Sequence, residues 1–253
     1  MLHIFTFLTD ESRIQYLKKT AEGNDVEVHY IKNDTWNGYV DKIIAVNRAM
    51  ESLQEEDIVC FIDAYDVLVN HEISTILNGF FSYDCDLLLG AELACYPTRY
   101  QDRFPLTRSN HRFLNSGGYI GYKHAIRDIL EWKPLSEIHK ICAYGGDQTY
   151  FIEYFLNFYL EKKIRLDDRC LVFQNMHWVN WKELEFVEGR MYNTVMKTFP
   201  CFIHFNGGTW QQDNKENIMP VFVEKMRKAE ISRQNLDGYS QIINKTCYPH
   251  PQL

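Results

Sequence analysis

An apolar run, Asp57-Ile-Val-Cys-Phe-Ile62, ends in two carboxylates, Asp63 and Asp66, that stand three residues apart. A continuous apolar run of this length is typical of a strand that is buried on both faces. In open α/β sheets, ligands bind at the carboxyl ends of the strands. Because carboxylates offer hard oxygen ligands, the segment indicates a divalent-cation site that also holds a diphosphate. The alternative is a loop whose acids cap a turn or the next helix.

The segments before this run alternate between strand and helix patterns. Leu2 to Thr9 is apolar and is predicted to form the first strand, and a helix is predicted from Asp10 to Gly23. Val26 to Ile31 alternates apolar and polar residues as a strand does, and apolar residues recur at helical spacing between Val40 and Leu53. The order β-α-β-α-β predicts a Rossmann-type nucleotide-binding region, with a mostly parallel central sheet flanked by helices.

The rest of the chain is predicted to add further strands and helices. Phe113 to Tyr122 is a strand interrupted by glycines, which favours a bulge or a close approach of the backbone to a ligand. The helix after Gly145-Gly-Asp-Gln148 carries an aromatic stripe, which favours packing in the core over contact with a cofactor. A charged amphipathic helix is predicted from Glu216 to Arg233. Short strands complete the sheet region near residues 164–166, 171–173 and 201–205.

Length and composition fit one domain. The chain has 253 residues, of which 45% are hydrophobic and 15% aromatic, and this is ample for a sizeable core. We predict a single domain over residues 1–253. Within it we expect a nucleotide-binding half at 1–92, an acceptor and catalytic half at 93–215, and a C-terminal helix and tail at 216–253.

Charge and hydropathy argue against two classes of protein. The formal net charge is -7 and no Lys- or Arg-rich run is present, so nucleic-acid binding is not expected. No apolar stretch has the length of a membrane span, and the N-terminus lacks the features of a signal peptide.

The seven cysteines form no Cys-x-x-Cys pair. We therefore expect them to be mostly reduced packing residues and, by default, we expect a cytoplasmic location. The aromatic helix and charged tail are compatible with a homodimer.

Four polar motifs stand at the ends of apolar runs or in turns that glycine permits. A parallel sheet would gather them on one edge, with His204 near Asp63 and Asp66. Two carboxylates and an imidazole, completed by diphosphate oxygens, suit an octahedral cation and favour Mn2+ modestly over Mg2+. The motifs are Asp63-Ala-Tyr-Asp66, Asn115-Ser-Gly-Gly118, Gly145-Gly-Asp-Gln148 and His204-Phe-Asn-Gly-Gly208.

Five segments that occur in one order along the chain are Phe61-Ile-Asp-Ala-Tyr-Asp-Val67, Arg112-Phe-Leu-Asn-Ser-Gly-Gly-Tyr-Ile-Gly121, Asp147-Gln-Thr-Tyr-Phe151, Asp168-Arg-Cys-Leu-Val-Phe-Gln-Asn175 and His204-Phe-Asn-Gly207. Together they resemble the glycosyltransferase domain of the multifunctional procollagen lysyl hydroxylases, from about Leu2 to Gly207. The resemblance implies a GT-A-type fold and transfer of glucose from UDP-glucose to galactosylhydroxylysine of collagen or a collagen-like protein. It further implies Mn2+ as cofactor and retention of anomeric configuration. Because this chain has no room for the hydroxylase domain, we expect a stand-alone transferase.

The resemblance also implies roles for individual residues. Asp63, Asp66 and His204 match the metal ligands. Tyr65 matches an aromatic residue near the uridine, and Trp36 offers an opposite face for stacking. The other residues implied to bind the nucleotide and its diphosphate are Thr9, Lys42, Asn206 and Gly207. Those implied around the transferred sugar are Asn115, Asp147 and Gln148.

Several alternatives stay open at this point. Lys42 either reaches a phosphate or is a solvated residue on its helix. Asp147 is either a nucleophile or a ligand of sugar hydroxyls, and we favour the second role, with front-face attack assisted by the leaving diphosphate. Where the family has further acids, this chain has Gly145-Gly146, and Trp210 replaces an expected cation and could instead form an acceptor platform.

Other functions are also compatible with these motifs. The donor could be UDP-galactose, used to glycosylate hydroxylysine, or another UDP-sugar. The domain could bind a sugar nucleotide without catalysis, although the intact set of polar motifs argues against this. A hydrolase with Asp63 and Asp66 as its carboxylate pair fits less well than a metal site, because a tyrosine separates the acids and a distant histidine accompanies them.

Overall fold

The computed structural model describes residues 1–207 and 218–226, and these residues form a layered α/β structure. The strands, in chain order, are β1 (Leu2–Leu8), β2 (His29–Lys32), β3 (Ile58–Ile62), β4 (Val67–Val69), β5 (Leu87–Glu92), β6 (Phe113–Tyr122), β7 (Ile164–Leu166), β8 (Phe173–Asn175), β9 (Leu184–Val187), β10 (Arg190–Asn193) and β11 (Phe202–His204). The α-helices are α1 (Gln15–Gly23), α2 (Val40–Ala49), α3 (Ile73–Phe81), α4 (Lys123–Leu130), α5 (Leu135–Cys142), α6 (Gly146–Phe158) and α7 (218–226).

The central sheet has six strands in the order β2-β1-β3-β6-β5-β7. Strand β1 pairs in parallel with both β2 and β3, and β5 pairs in parallel with β7. Only β6 runs antiparallel to its neighbours β3 and β5 within this described sheet. The predicted mostly parallel sheet flanked by helices is therefore confirmed.

The two faces of the sheet bury separate cores because side chains alternate along each strand. In β1, Phe5 and Phe7 join the core beneath α2, α4, α5 and α6, whereas Ile4 and Leu8 join the core beneath α1 and α3. The aromatic stripe of α6 lies in the first of these cores, as predicted. Burial of these apolar side chains, rather than helix propensity, holds the helices to the sheet.

Strand β6 bulges where glycines interrupt it. Tyr119 pairs with Leu89 and Asn115 pairs with Gly90, so the residues between them, Ser116 to Gly118, have no partner in β5. A Cβ atom on Gly118 would lie 2.6 Å from Cδ1 of Phe173, which is too close for any other residue. The predicted bulge is confirmed, and it carries Asn115 and its neighbours out of the regular ladder.

A second sheet was not predicted. Strands β4, β11 and β8 form a separate three-stranded sheet, in which β11 runs antiparallel to β4 and parallel to β8. The strands predicted near 171–173 and 201–205 belong here, shifted by up to two residues, and not to the central sheet. Val67, Val69, Phe173 and Phe202 pack on one side of this small sheet, and its other side faces a third core that includes α7.

Several other elements were missed or lie partly outside the described residues. The elements α3, α5 and the β9–β10 hairpin were not predicted. The predicted helix at 216–233 is described only over 218–226, and the predicted boundary at 215/216 lies outside the described residues.

Six cysteines are buried and free, as expected, while Cys247 lies outside the described part. None of the described helices is long and apolar enough to cross a membrane.

Candidate active site

Asp63, Asp66 and His204 form the centre of the site. One ligand atom from each lies within 4.8 Å of the others. Nε2 of His204 is 3.7 Å from Oδ2 of Asp63 and 3.5 Å from Oδ1 of Asp66. Burial would lower the pKa of His204, but Asp66 and then Asp63 raise it. Two carboxylates and an imidazole that converge to this extent have the donor set and spacing that suit a divalent cation.

Strand pairing, rather than one sheet edge, brings these three side chains together. Asp63 follows β3 of the central sheet, and its backbone N–H donates to the carbonyl of Gly117 at 2.8 Å. Asp66 precedes β4, and His204 ends β11, where it pairs with Val67. The prediction that a single parallel sheet gathers the motifs on one edge is wrong, because His204 arrives on the separate small sheet and Asn115 on the antiparallel β6.

Gly117 leaves room for the cation ligands. A Cβ atom at this position would overlap Cε1 of His204 and would lie 2.8 Å from Oδ2 of Asp63. The backbone of β6 therefore forms one wall of the site, at a distance that only glycine permits. The close approach of the β6 backbone fits a site in which the side chains of Asp63 and His204 face a common centre.

Gly117→Ala is expected to weaken binding of Mn2+ at least about tenfold, because the new methyl group displaces the ring of His204 and the carboxylate of Asp63. Isothermal titration with MnCl2 measures the effect. Gly121→Ala is the matched control, since it also crowds β6, against the carbonyl of Asp86 at 2.5 Å, but away from these ligands. Wild-type affinity in Gly117→Ala would contradict the prediction.

Lys42 links the cation ligands to Asp147. Its Nζ lies 2.8 Å from Oδ1 of Asp63 and 3.0 Å from Oδ2 of Asp147. Burial alone would lower the pKa of Lys42, but Asp147 and Asp63 raise it above its ordinary value. Burial raises the pKa of Asp147, and Lys42 opposes this rise. The alternative of a solvated Lys42 is therefore wrong, and its phosphate contact stays a prediction.

Asp63 and Asp66 line a cavity of about 500 Å³, which we call the Tyr65 cavity. The hydroxyl of Tyr65 accepts hydrogen bonds from the backbone N–H groups of Thr9, at 2.7 Å, and Asp10, at 2.9 Å. These bonds fix the ring at the end of β1. The cavity is lined by Phe7, Thr9, Arg13, Trp36, Tyr39, Lys42, Asp63, Ala64, Tyr65 and Asp66.

The aromatic residues of this cavity do not form a simple sandwich. The guanidinium carbon of Arg13 lies 4.4 Å from the centre of the Tyr65 ring and covers one face of it. Trp36 is 49% exposed and makes an edge contact with Tyr39. Arg13 was not among the predicted site residues, because an arginine in a predicted helix carries no signal that distinguishes it from a solvated residue.

Asp63 and Asp66 also line a second cavity, of about 470 Å³, which we call the Asn115 cavity. It shares Tyr39, Lys42, Asp63 and Asp66 with the Tyr65 cavity. The predicted site residues that line it are Lys42, Asp63, Asp66, Asn115, Asp147, Gln148, His204, Asn206 and Gly207. All twelve predicted residues therefore line one or both cavities, and their individual roles stay predictions.

Glu92 accepts hydrogen bonds from three of the polar side chains that line the Asn115 cavity. Its Oε1 accepts hydrogen bonds from Asn115 and Gln148, both at 3.2 Å, and its Oε2 accepts one from Asn206 at 2.7 Å. Three predicted site residues from separate segments thus converge on one carboxyl that is 3% exposed. Glu92 was not among the predicted site residues, although it resembles Asp63 in being an acid at the end of a buried strand.

Glu92 is expected to make stability depend on pH. Burial raises its pKa from 4.5 to about 7, against the lowering effect of Asn115 and the other donors. Because the folded pKa is the higher one, Glu92 stabilises the fold at low pH and this contribution is lost as the pH rises from 4.5 to about 7. Relative to Glu92→Gln, the wild type should lose up to about 3 kcal/mol of unfolding free energy across this range.

Urea denaturation of both proteins at a series of pH values measures this difference. Glu92→Gln serves as the reference because it keeps the side-chain shape but cannot ionise in the range. Parallel stability profiles for the two proteins would contradict the expected dependence.

The segment after His204 turns sharply beside the cavity. Oδ1 of Asn206 accepts hydrogen bonds from the backbone N–H groups of Met176, at 2.9 Å, and His177, at 3.0 Å. Gly207 has a φ of +84°, and a Cβ atom there would overlap the ring of His177. The turn therefore requires glycine. Trp210, predicted to replace a cation, lies outside the described residues.

Comparison with protein families gives one match over most of the chain. A family model described as the PLOD GT domain matches residues 8–226. A Caenorhabditis elegans multifunctional procollagen lysine hydroxylase and glycosyltransferase is 29% identical over 214 residues, which cover 77% of this chain and 28% of that protein. The LH3 protein of that name from Rattus norvegicus is 31% identical over 168 residues, 64% of this chain and 22% of the relative. The matches thus span about a quarter of these relatives.

Solved structures of glycosyltransferases share the fold. A glycosyltransferase involved in glycosylation of the major capsid of PBCV-1 superposes with a TM-score of 0.52 at 10% identity, covering 87% of this chain and 98% of that one. The galactosyltransferase LgtC, in complex with donor and acceptor sugar analogues, gives a TM-score of 0.51 at 11% identity, covering 90% and 96%. The expected GT-A-type fold is confirmed.

Proposed function

The chain belongs to the family of PLOD GT domains, and on that basis we propose that it transfers glucose from UDP-glucose to galactosylhydroxylysine of collagen or a collagen-like protein. The observation that carries this proposal is the convergence of Asp63, Asp66 and His204, because the two carboxylates line both cavities. A nucleotide-sugar transferase needs such an arrangement, because the diphosphate connects a nucleoside on one side to a reacting sugar on the other.

The Tyr65 cavity is the proposed site of the uridine. It offers the partly buried ring of Tyr65, the exposed ring of Trp36 and the positive charge of Arg13. These groups match a planar base followed by an anionic diphosphate. Asn206 and Gly207, which line the Asn115 cavity, are the proposed border of the diphosphate.

Asp63, Asp66 and His204 are proposed to hold Mn2+, with Mg2+ as the other candidate. When bound, the cation would stabilise negative charge on the departing diphosphate. Lys42 adds a buried positive charge beside Asp63, and it keeps Asp147 next to an ionic partner. The carboxylates are therefore neutralised from two sides, which favours an anionic leaving group at this place.

The Asn115 cavity is the proposed site of the transferred sugar and its acceptor. Asn115, Gln148 and Asn206 are held by Glu92, so these three side chains have a defined orientation in the cavity proposed for the sugar. Such positioning lowers the entropic part of the activation free energy for bringing the acceptor hydroxyl to the anomeric carbon. Asp147 is proposed to bind sugar hydroxyls, with front-face attack and retention of anomeric configuration.

Release of UDP from a panel of UDP-sugars tests the proposal, with Mn2+ or chelator and with or without a galactosylhydroxylysine acceptor. Mn2+-dependent turnover of UDP-glucose that the acceptor stimulates is the expected result. Preference for UDP-galactose with a hydroxylysine acceptor would replace the donor and acceptor but keep the site. Metal-dependent UDP binding without turnover of any donor would favour an inactive sugar-nucleotide-binding domain.

A homodimer and a cytoplasmic location stay predictions, which gel filtration and cell fractionation test.

A further inference from the structure

Asn175 has no role in the site as described so far. It ends β8, it is 1% exposed, and its side chain lies against His204. The two residues are direct partners in the parallel pairing of β8 with β11, so their side chains project from the same face of the small sheet. A buried amide in this position must satisfy its hydrogen bonds locally.

The backbone fixes which way the amide of Asn175 points. One of its terminal atoms lies 2.9 Å from the carbonyl oxygen of Ala91. A carbonyl oxygen can only accept, so this atom is Nδ2, the donor. The other terminal atom, Oδ1, then faces Nδ1 of His204 at 2.8 Å. The orientation follows from the hydrogen bonds and leaves no ambiguity about which atom faces the histidine.

This orientation determines the tautomer of the neutral His204 ring. An amide oxygen has no hydrogen to give, so Nδ1 of His204 must be the donor. A neutral imidazole carries one N–H group, which leaves Nε2 with its lone pair. Nε2 is the ring nitrogen that faces Asp66, at 3.5 Å, and Asp63, at 3.7 Å.

We propose that Asn175 is a positioning residue that keeps the proton of neutral His204 on Nδ1 and so presents Nε2 as a cation ligand. The hydrogen bond to the carbonyl oxygen of Ala91 fixes the orientation of the Asn175 amide, and the amide fixes the orientation of the His204 ring. Gly117, in β6, lies close to the same ring. The cation part of this inference rests on the proposed function. The tautomer part does not, since it follows from hydrogen bonds within the protein.

Nitrogen-15 labelling of the histidine rings tests the tautomer directly. A long-range proton–nitrogen correlation spectrum of the wild type, at a pH where the His204 ring is neutral and without added metal, is expected to show the proton on Nδ1. Assignment uses the His204→Gln variant, whose spectrum lacks this ring. A neutral ring that carries its proton on Nε2 would overturn the inference, whatever the protein catalyses.

Two substitutions at Asn175 test its effect on cation binding. Asn175→Leu removes the acceptor for Nδ1 and is expected to weaken Mn2+ binding about 10- to 100-fold. Asn175→Asp keeps an acceptor oxygen and is expected to keep the proton on Nδ1, even though it loses the bond to Ala91. Wild-type Mn2+ affinity in a folded Asn175→Leu variant would overturn the positioning role.

The two experiments separate failure of this inference from failure of the proposed function. If the wild type shows the Nδ1 proton but binds no Mn2+, the tautomer assignment stands and the metal-dependent transferase is rejected. If the wild type binds Mn2+ and turns over a donor while its neutral ring carries the Nε2 proton, the function stands and the role of Asn175 is rejected. Because the wild-type spectrum decides the tautomer, an unfolded Asn175→Leu variant leaves the inference testable.

Discussion

Asp66→Ala is expected to abolish metal-dependent release of UDP, with a loss of at least about 10³-fold in turnover. Asp66 supplies one of three converging ligand atoms, and its neighbours Asp63 and His204 cannot replace the missing oxygen from their positions. Steady-state assays with UDP-glucose and a range of Mn2+ concentrations measure the loss. Isothermal titration should show weaker Mn2+ binding in parallel.

Asp57→Ala is the matched control for this prediction. Asp57 precedes the same strand, β3, at its opposite end, where it pairs with the N-terminal amino group at 2.8 Å. Removing that carboxylate is expected to leave turnover and Mn2+ affinity unchanged. Near-normal, metal-dependent turnover in Asp66→Ala would refute the assignment of Asp66 as a metal ligand.

Asp147→Asn is expected to lower transfer about 10²-fold or more while it changes UDP affinity little. Asp147 lines the Asn115 cavity and not the Tyr65 cavity, so its charge acts where the sugar is proposed to lie. The amide keeps the shape of the carboxylate, and Lys42 retains its contact with Asp63. Turnover numbers and the dissociation constant of UDP, measured on the same preparation, separate the two effects.

Asp128→Asn provides the comparison for general effects of losing a carboxylate. Asp128 pairs with Lys162 on the surface of α4, outside both cavities. This variant should keep both transfer and UDP binding. Equal losses of transfer and UDP affinity in Asp147→Asn would indicate a structural role for Asp147 in place of contact with the sugar.

The cation site shows how much of a functional site can be predicted from residue patterns in the sequence. Asp63 and Asp66 were predicted because acids seldom follow a fully buried strand, and His204 because it stands at the end of another apolar run. The structure brings all three together, but by a different route. The short strands β4 and β11 form their own sheet, and three-residue strands carry too little alternation to reveal their partners.

Glu92 and Asn175 show where sequence reasoning stopped. Both are polar residues at the end of a strand, and each is buried by contacts with segments distant in the chain, such as Asn206 for Glu92 and His204 for Asn175. The sequence alone does not show which residue a polar side chain contacts in the folded protein. Its function as an organiser of other residues appears only when the strands are paired.

The α/β order and the candidate cation ligands Asp63, Asp66 and His204 could be read from residue types and their spacing, whereas the roles of the other site residues were implied by the family resemblance. These features are local, because periodicity and strand-end acids are visible within a few residues. The second sheet, the bond of Lys42 to both Asp63 and Asp147, and the orientation of the Asn175 amide were decided by the tertiary structure. Each depends on the register between strands or helices far apart in the chain, where a shift of one residue reverses the face that a side chain occupies.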